Sequence, residues 1–194
     1  MTRTAGSNPL RHILMVTALV SLVPALALAG CGSRAGEPAS EGAGSLSVGD
    51  PAPAFSLADQ DGRVRTLAEY QGKPVVLYFY PRDATPGCTT EACAFRDAWE
   101  RLQATGAVVL GVSTDDEASH RNFRNEHGLP FDLLSDPESV AADAYHVPVR
   151  LGTFAARHTF LIDRDGRVAH IWRDVDPGVH ANEVITAIAA LPSE

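Results

Sequence analysis

From Leu46 onward the apolar positions follow two periods, one near two residues and one near 3.6, and the segments alternate between them. Phe55 to Leu57 and Val64 to Leu67 flank Asp59-Gln60-Asp61-Gly62, which predicts a β-hairpin. Pro74 to Tyr80 (PVVLYFY) is a continuous apolar, aromatic and β-branched run, the signature of a central strand buried on both faces. Pro81 to Gly87 reads as a loop. From Cys88 to about Ala104 the period is helical, with Ala92, Phe95, Trp99 and Leu102 on one face. Ala107 to Val112 predicts a second buried strand. Asp115 or Asp116 can cap a helix running to His127, which Gly128 and Pro130 end. Leu133-Leu134 predicts a short strand, and Asp136-Pro137 the start of a helix through about Ala144. His158 to Ile162 and Val168 to Trp172 flank Asp163-Arg164-Asp165-Gly166 as a second hairpin, and Val179 to Leu191 is a closing amphipathic helix. Strands alternating with helices predict a three-layer α/β domain: a central mixed sheet flanked by helices, entered through an N-terminal hairpin.

The residues before Leu46 follow a different rule. Arg3, Arg11 and His12 precede an apolar stretch from Ile13 to Gly30 that Pro24 interrupts, a basic region and apolar core of secretory type. The run is marginal for a spanning helix. It ends Leu28-Ala29-Gly30-Cys31, which resembles the bacterial lipobox. That resemblance implies cleavage before Cys31 and acylation of its sulfur, so that the chain is anchored to a bacterial membrane and faces an extracytoplasmic space. An ordinary signal peptide with an incidental cysteine, or an uncleaved anchor, are the alternatives. Residues 32–44 are mostly Gly, Ser, Ala, Glu and Pro, a flexible tether composition. The expected organisation is a signal peptide over residues 1–30, a tether over 31–45 and one domain over 46–194.

Composition narrows the function. The net charge is −8, and removal of Arg3 and Arg11 with the first 30 residues makes it −10. No Lys/Arg-rich run is present, which argues against nucleic-acid binding. Such an acidic body is repelled by an anionic membrane surface. The three cysteines are too few for a disulfide scaffold, and Cys88-x4-Cys93 lacks the second pair of a structural zinc site. No cofactor or metal is implied.

Cys88 follows a buried strand and a Pro/Gly loop at the first turn of a helix. There, unpaired backbone N–H groups and the positive end of the helix dipole favour thiolate over thiol. A buried structural cysteine is the bland alternative.

The stretch Tyr78 to Asp97, YFYPRDATPGCTTEACAFRD, resembles the signature of the peroxiredoxins, in particular the bacterioferritin comigratory protein or peroxiredoxin Q subfamily. The resemblance extends over most of Leu46 to Leu191, including Ala156-Arg157-His158-Thr159-Phe160-Leu161-Ile162-Asp163. It implies a thioredoxin-like fold and a thiol-dependent peroxidase acting on hydrogen peroxide and organic hydroperoxides. It implies that Cys88 is the peroxidatic cysteine, that Thr85 places its hydroxyl near the sulfur, that Pro81 shields the pocket, and that Arg157 brings a permanent positive charge to sulfur and peroxide. Glu91 matches the pattern too, either capping the helix or holding Arg82 or Arg96. Tyr80 divides evenly between core and pocket wall, and His158 is expected to point away from Arg157's face and to be structural. The subfamily leans toward monomers.

Sulfenic acid at Cys88 needs a thiol partner, and Cys93 is the candidate in the domain. Five helical steps put the two Cα atoms roughly 8.6 Å apart, beyond the ~7 Å a disulfide spans. An intramolecular disulfide therefore requires the helix to unwind locally, and an extracytoplasmic thioredoxin-like donor must reduce it. Two rival readings remain. A tethered thiol–disulfide oxidoreductase normally uses C-x-x-C. A copper metallochaperone would use C-x-x-x-C with a distant histidine, for which His146, His158, His170 and His180 are candidates. Both have the wrong cysteine spacing.

Overall fold

The computed structural model describes residues 45–192. Cys31, the signal peptide and nearly all of the expected tether lie outside the described residues.

The first hairpin forms as expected, β1 (Ser56–Asp59) and β2 (Val64–Thr66). Its turn is held by Asp59, whose buried carboxylate accepts from the backbone N–H groups of Asp61 and Arg63 and from Arg65. β3 (Val75–Phe79) is buried at every position. Its odd and even residues serve different cores: Val76, Tyr78 and the following Tyr80 pack on one face of the sheet, and Val75, Leu77 and Phe79 on the other.

The helix expected from Cys88 to Ala104 is two helices. α1 (Pro86–Asp97) begins two residues earlier, with Pro86 in the first turn, where its missing N–H costs nothing and its fixed φ suits the helix. A break at Ala98 (φ −91°, ψ 6°) then separates it from α2 (Trp99–Ala104). β4 (Val108–Ser113) follows, then α3 (Glu117–His127), capped by Asp116, whose carboxylate accepts from the Ser119 N–H. β5 (Asp132–Ser135) precedes α4 (Val140–Ala144), which starts later than expected. Asp136 is not in the helix. Its carboxylate accepts from the N–H groups of Ala141 and Ala142, serving the helix N-terminus from outside. A hairpin of two-residue strands, β6 (Val149–Arg150) and β7 (Phe154–Ala155), was not foreseen. It is followed by β8 (His158–Ile162), β9 (Val168–Trp172) and α5 (His180–Ala189).

The main sheet has seven strands in the order β2-β1-β5-β4-β3-β8-β9. β3, β4 and β5 are parallel, and β1, β8 and the outer strands pair antiparallel. α1, α2, α3 and α5 contribute Phe95, Leu102, Phe123 and Val184 to the core on one face. α4 and the segment from Leu46 to Leu57 cover the other, around Phe79, Tyr145 and Phe160. This is the mixed α/β, thioredoxin-like architecture expected, flanked by helices on both faces. One contact fixes the side-chain scale of the core. Gly111 on β4 pairs with Tyr78 on β3, and a Cβ there would lie 2.7 Å from the tyrosine ring and 2.8 Å from Leu133.

Candidate active site

The C-terminal ends of β3, β4 and β5 lie at one end of the sheet, where Cys88 and Arg157 meet and the loop carrying Pro81 and Thr85 leaves β3. Because β8 runs antiparallel to β3, with Phe79 opposite His158, Arg157 comes alongside Tyr80 as the chain leaves β3. Side chains alternate along a strand, so Arg157 and Thr159 share the face on which α1 packs, while His158 turns to the other face and lies against Phe160. The expectation for His158 therefore matches its placement.

Cys88 is the third residue of α1 and is 2 % exposed. Arg157 Nη2 lies 3.3 Å from its sulfur. The guanidinium passes close over the loop, for a Cβ on Gly87 would stand 3.3 Å from the same nitrogen. The other arm of the fork, Nη1, donates to Glu91 Oε2. Glu91 is one helical turn beyond Cys88 on the same face of α1 and is fully buried. This corrects the expected role of Glu91. It neither caps the helix nor holds Arg82 or Arg96: Arg82 reaches Asp115 at 3.7 Å, and Arg96 donates to Asp97 and to the His127 carbonyl.

One guanidinium thus faces two acidic groups. Burial opposes the charge on Arg157, but Glu91 and Cys88 beside it outweigh that and hold its pKa above the ordinary value. Glu91 moves the other way: burial pushes its carboxyl up to about 7, against the pull of Arg157. Removing the carboxylate from water costs more than the single guanidinium beside it returns, so the neutral acid is favoured. The hydroxyl of Tyr78, raised well above its usual range first by burial and then by Glu91, closes the back of the cluster. Neither it nor Glu91 Oε1 finds a hydrogen-bond partner within the described residues.

Thr85 is the residue before α1. Its backbone carbonyl accepts from Thr89 N–H, and its hydroxyl donates to the Arg82 carbonyl at 3.1 Å. The hydroxyl is therefore engaged in the loop. Pro81 is half-buried at the loop's start. Tyr80 is a core residue, 1 % exposed, whose hydroxyl donates to Asp83 at 2.7 Å. Asp83 anchors the loop to α3, accepting also from Ser119 and lying 2.8 Å from His120 Nδ1. Burial works against its charge, and these bonds outweigh it and hold its carboxyl below the usual range. Cys93 is half-buried on α1 beside Arg96, and both Cys88 and Cys93 are free thiols. Among the described residues, no cluster of three His, Cys, Asp or Glu side chains is arranged to hold a metal ion.

The pairing of Glu91 with Arg157 and the Tyr80–Asp83–His120 network were missed in the sequence. The first had one legible signal, the three-residue spacing from Cys88 to Glu91. The second had none, since it joins a loop to a helix through a sheet.

Residues 48–171 match the AhpC/TSA family. The chain is 45% identical over 150 residues to chloroplastic peroxiredoxin Q of Oryza sativa subsp. japonica, covering 76% of this chain and 69% of that one. It is 42% identical over 147 residues to a bcp-type peroxiredoxin sequence of Coxiella burnetii, covering 73% and 97%. The fold is similar to the crystal structure of the peroxidoxin BcpB from Mycobacterium tuberculosis, with a TM-score of 0.71 and 34% identity over 76% of this chain and 99% of that one. With a buried cysteine at a helix N-terminus under an arginine, and relatives 42% and 45% identical over 73% and 76% of the chain, the chain belongs to the AhpC/TSA family and is a peroxiredoxin, a thiol-dependent peroxidase whose homologues are of the Q and bcp type.

Proposed function

We propose that Cys88 is the peroxidatic and Cys93 the resolving cysteine of this peroxidase, and that the enzyme works outside the cytoplasm on an acyl anchor at Cys31. The observation that carries the first part is the 3.3 Å contact from Arg157 to the Cys88 sulfur. The sulfur attacks the terminal oxygen of a hydroperoxide, the O–O bond breaks, and the alcohol or water leaves as the sulfur becomes a sulfenic acid. Negative charge moves from sulfur to the departing oxygen, and a fixed guanidinium along that path stabilises the charge as it develops. Thr85 and Pro81 border the approach as the loop residues ahead of α1. The Cys93 thiol then displaces the sulfenic oxygen as water, forming a disulfide that a thioredoxin-like dithiol reduces.

Both cysteines lie on α1, so the second step requires Pro86 to Cys93 to unwind. Arg157 grips Cys88 and Glu91 together, which holds this stretch helical while the sulfur is reduced. The anchor reading is supported by the Leu28-Ala29-Gly30-Cys31 sequence and the flexible composition after it.

Peroxide-dependent thiol loss in wild type, Cys88→Ser and Cys93→Ser tests the roles. The first variant should lose no thiol at low peroxide. The second should accumulate a sulfenic acid trapped by dimedone. Oxidation of Cys93 ahead of Cys88 would reverse the assignment.

A further inference from the structure

The loop from Pro81 to Thr85 holds one residue in an unfavourable conformation and a buried carboxylate beside it. Ala84 sits at φ +55°, a left-handed backbone that residues other than glycine keep only where their surroundings impose it. Asp83, the residue before, is 7 % exposed. Its Oδ1 accepts from the Tyr80 hydroxyl at 2.7 Å, and its Oδ2 from the Ser119 hydroxyl at 2.8 Å. Its backbone N–H donates to Asp115 Oδ2 at 2.8 Å, an oxygen that also accepts from the Ser113 hydroxyl. Thr85, the residue after, is tied back to the Arg82 carbonyl through its own hydroxyl. The turn at Ala84 is thus fixed from both sides, and it sets the direction in which the chain enters α1.

His120 of α3 completes this hold from inside the protein, where it has no exposure to solvent. Its Nδ1 lies 2.8 Å from Asp83 Oδ2, and its Nε2 lies 3.2 Å from the Leu134 carbonyl on β5. The two hydroxyls leave Asp83 an acceptor, so Nδ1 donates to it. A carbonyl only accepts, and with a proton on each nitrogen the ring donates to both. One side of the ring therefore grips the loop while the other grips the sheet. A buried carboxylate is costly, and an apolar side chain would fill the same space at lower cost. What the bonded carboxylate adds is direction, because hydrogen bonds fix angle as well as distance.

We propose that His120 is a positioning residue for the peroxide step and acts through Asp83. None of its hydrogen bonds reaches Cys88 or Arg157. By holding Asp83 it holds the turn at Ala84. Through that turn it sets the place of Thr85 and of the first turn of α1, where the Thr85 carbonyl accepts from Thr89 N–H and Cys88 is the third residue. A displacement of about 1 Å caused far from the chemistry can slow a reaction about 10²-fold. The inference rests on the reading of Cys88 as the peroxidatic cysteine.

The test separates the two bonds of the ring. In His120→Asn the side-chain amide takes the place of Nδ1 and keeps a donor toward Asp83, while the bond to Leu134 is lost. In His120→Gln the amide takes the place of Nε2, and Asp83 loses its donor. Both variants put an amide where a buried ring stood, so a role in stability alone affects them alike. The readout is the second-order rate of Cys88 oxidation by hydrogen peroxide in the reduced full chain, at a temperature where circular dichroism shows each variant folded. That rate should fall about tenfold or more in His120→Gln and stay within about threefold of wild type in His120→Asn. Ser119→Ala, at a half-buried position, removes another donor from the same carboxylate and should also slow the reaction, which keeps a readout if His120→Gln does not fold. Added to Thr85→Val, His120→Gln should cost less than about threefold more, because both act through Thr85. Equal rates for the two amide variants, an unchanged rate in Ser119→Ala, or a full multiplicative loss in the double variant would each overturn the positioning role. Absence of Cys88 oxidation in wild type would instead remove the peroxidatic assignment.

Discussion

Glu91→Gln isolates the most unusual group of the site. Glu91 is fully buried, and its carboxyl is raised from 4.5 to about 7. The native state therefore binds a proton that the unfolded chain releases at lower pH. Stability from this group is fully present below about pH 4.5 and is lost as pH rises through about 7. A shift of that size is worth about 3 kcal/mol, and because the group has no solvent contact it needs no discount for screening. Glutamine keeps the shape and an acceptor for Arg157 but cannot titrate. Burial also lowers the pKa of His158 and His180, and those groups titrate over part of the same range in both proteins. The informative quantity is thus the difference between wild type and variant. Urea unfolding of the reduced proteins at pH 5 and pH 8 should show wild type losing about 2 to 3 kcal/mol relative to Glu91→Gln over that interval. A difference that stays constant with pH would refute the reasoning, and a difference of the opposite sign would show that Arg157 dominates burial.

Arg157→Lys keeps the charge but loses the fork that reaches Cys88 and Glu91 together, and the second-order rate with hydrogen peroxide should fall about 10²-fold or more in stopped-flow measurements. Oxidation to the intramolecular disulfide should remove far-UV helical signal from as many as eight of the 12 residues of α1, with loss of hydrogen-exchange protection confined to that helix; identical spectra for both redox forms would exclude unwinding. Gly111→Ala should lower stability by about 1–3 kcal/mol in chemical denaturation, since its Cβ would meet the Tyr78 ring and Leu133, neither of which can swing away.

The buried strands were legible because PVVLYFY and AVVLGV contain no polar position that could face water. The hairpins were legible from their Asp-Gly turns. The start of α1 was misplaced although Pro86 signals a first helical turn, because Pro81 to Gly87 also carries every mark of a loop. Its end at Ala98 has no local signal: alanine continues a helix as readily as any residue, and only the packing of Trp99 and Leu102 onto the core turns the chain there. The strands β6 and β7 are too short for any period to register. For the site, Cys88 and its helix terminus could be read locally, whereas the Arg157–Glu91 pair depends on which strand lies beside β3. Sequence spacing cannot supply that neighbour.

That dependence is the physical basis of the site. Arg157 has no local structure that aims it; its direction follows from the pairing of β8 with β3, in which Thr159 lies opposite Tyr78 and His158 opposite Phe79. A slip of one residue would turn the guanidinium to the other face, away from Cys88. What prevents the slip lies on that other face. Phe79, Phe160 and Tyr145 pack with ring centroids 5.0 to 5.9 Å apart, and the same slip would drive Phe160 out of this cluster and into the α1 face. On the near face, Thr159 is held by the buried His180 of α5 at 2.8 Å. The arginine is thus fixed by apolar packing behind it and one hydrogen bond beside it, and neither involves the reacting sulfur. The consequence is a division of labour across the sheet: β3 and β8 keep the charge in place, and under the proposed disulfide step α1, which carries both cysteines, is the element that has to change.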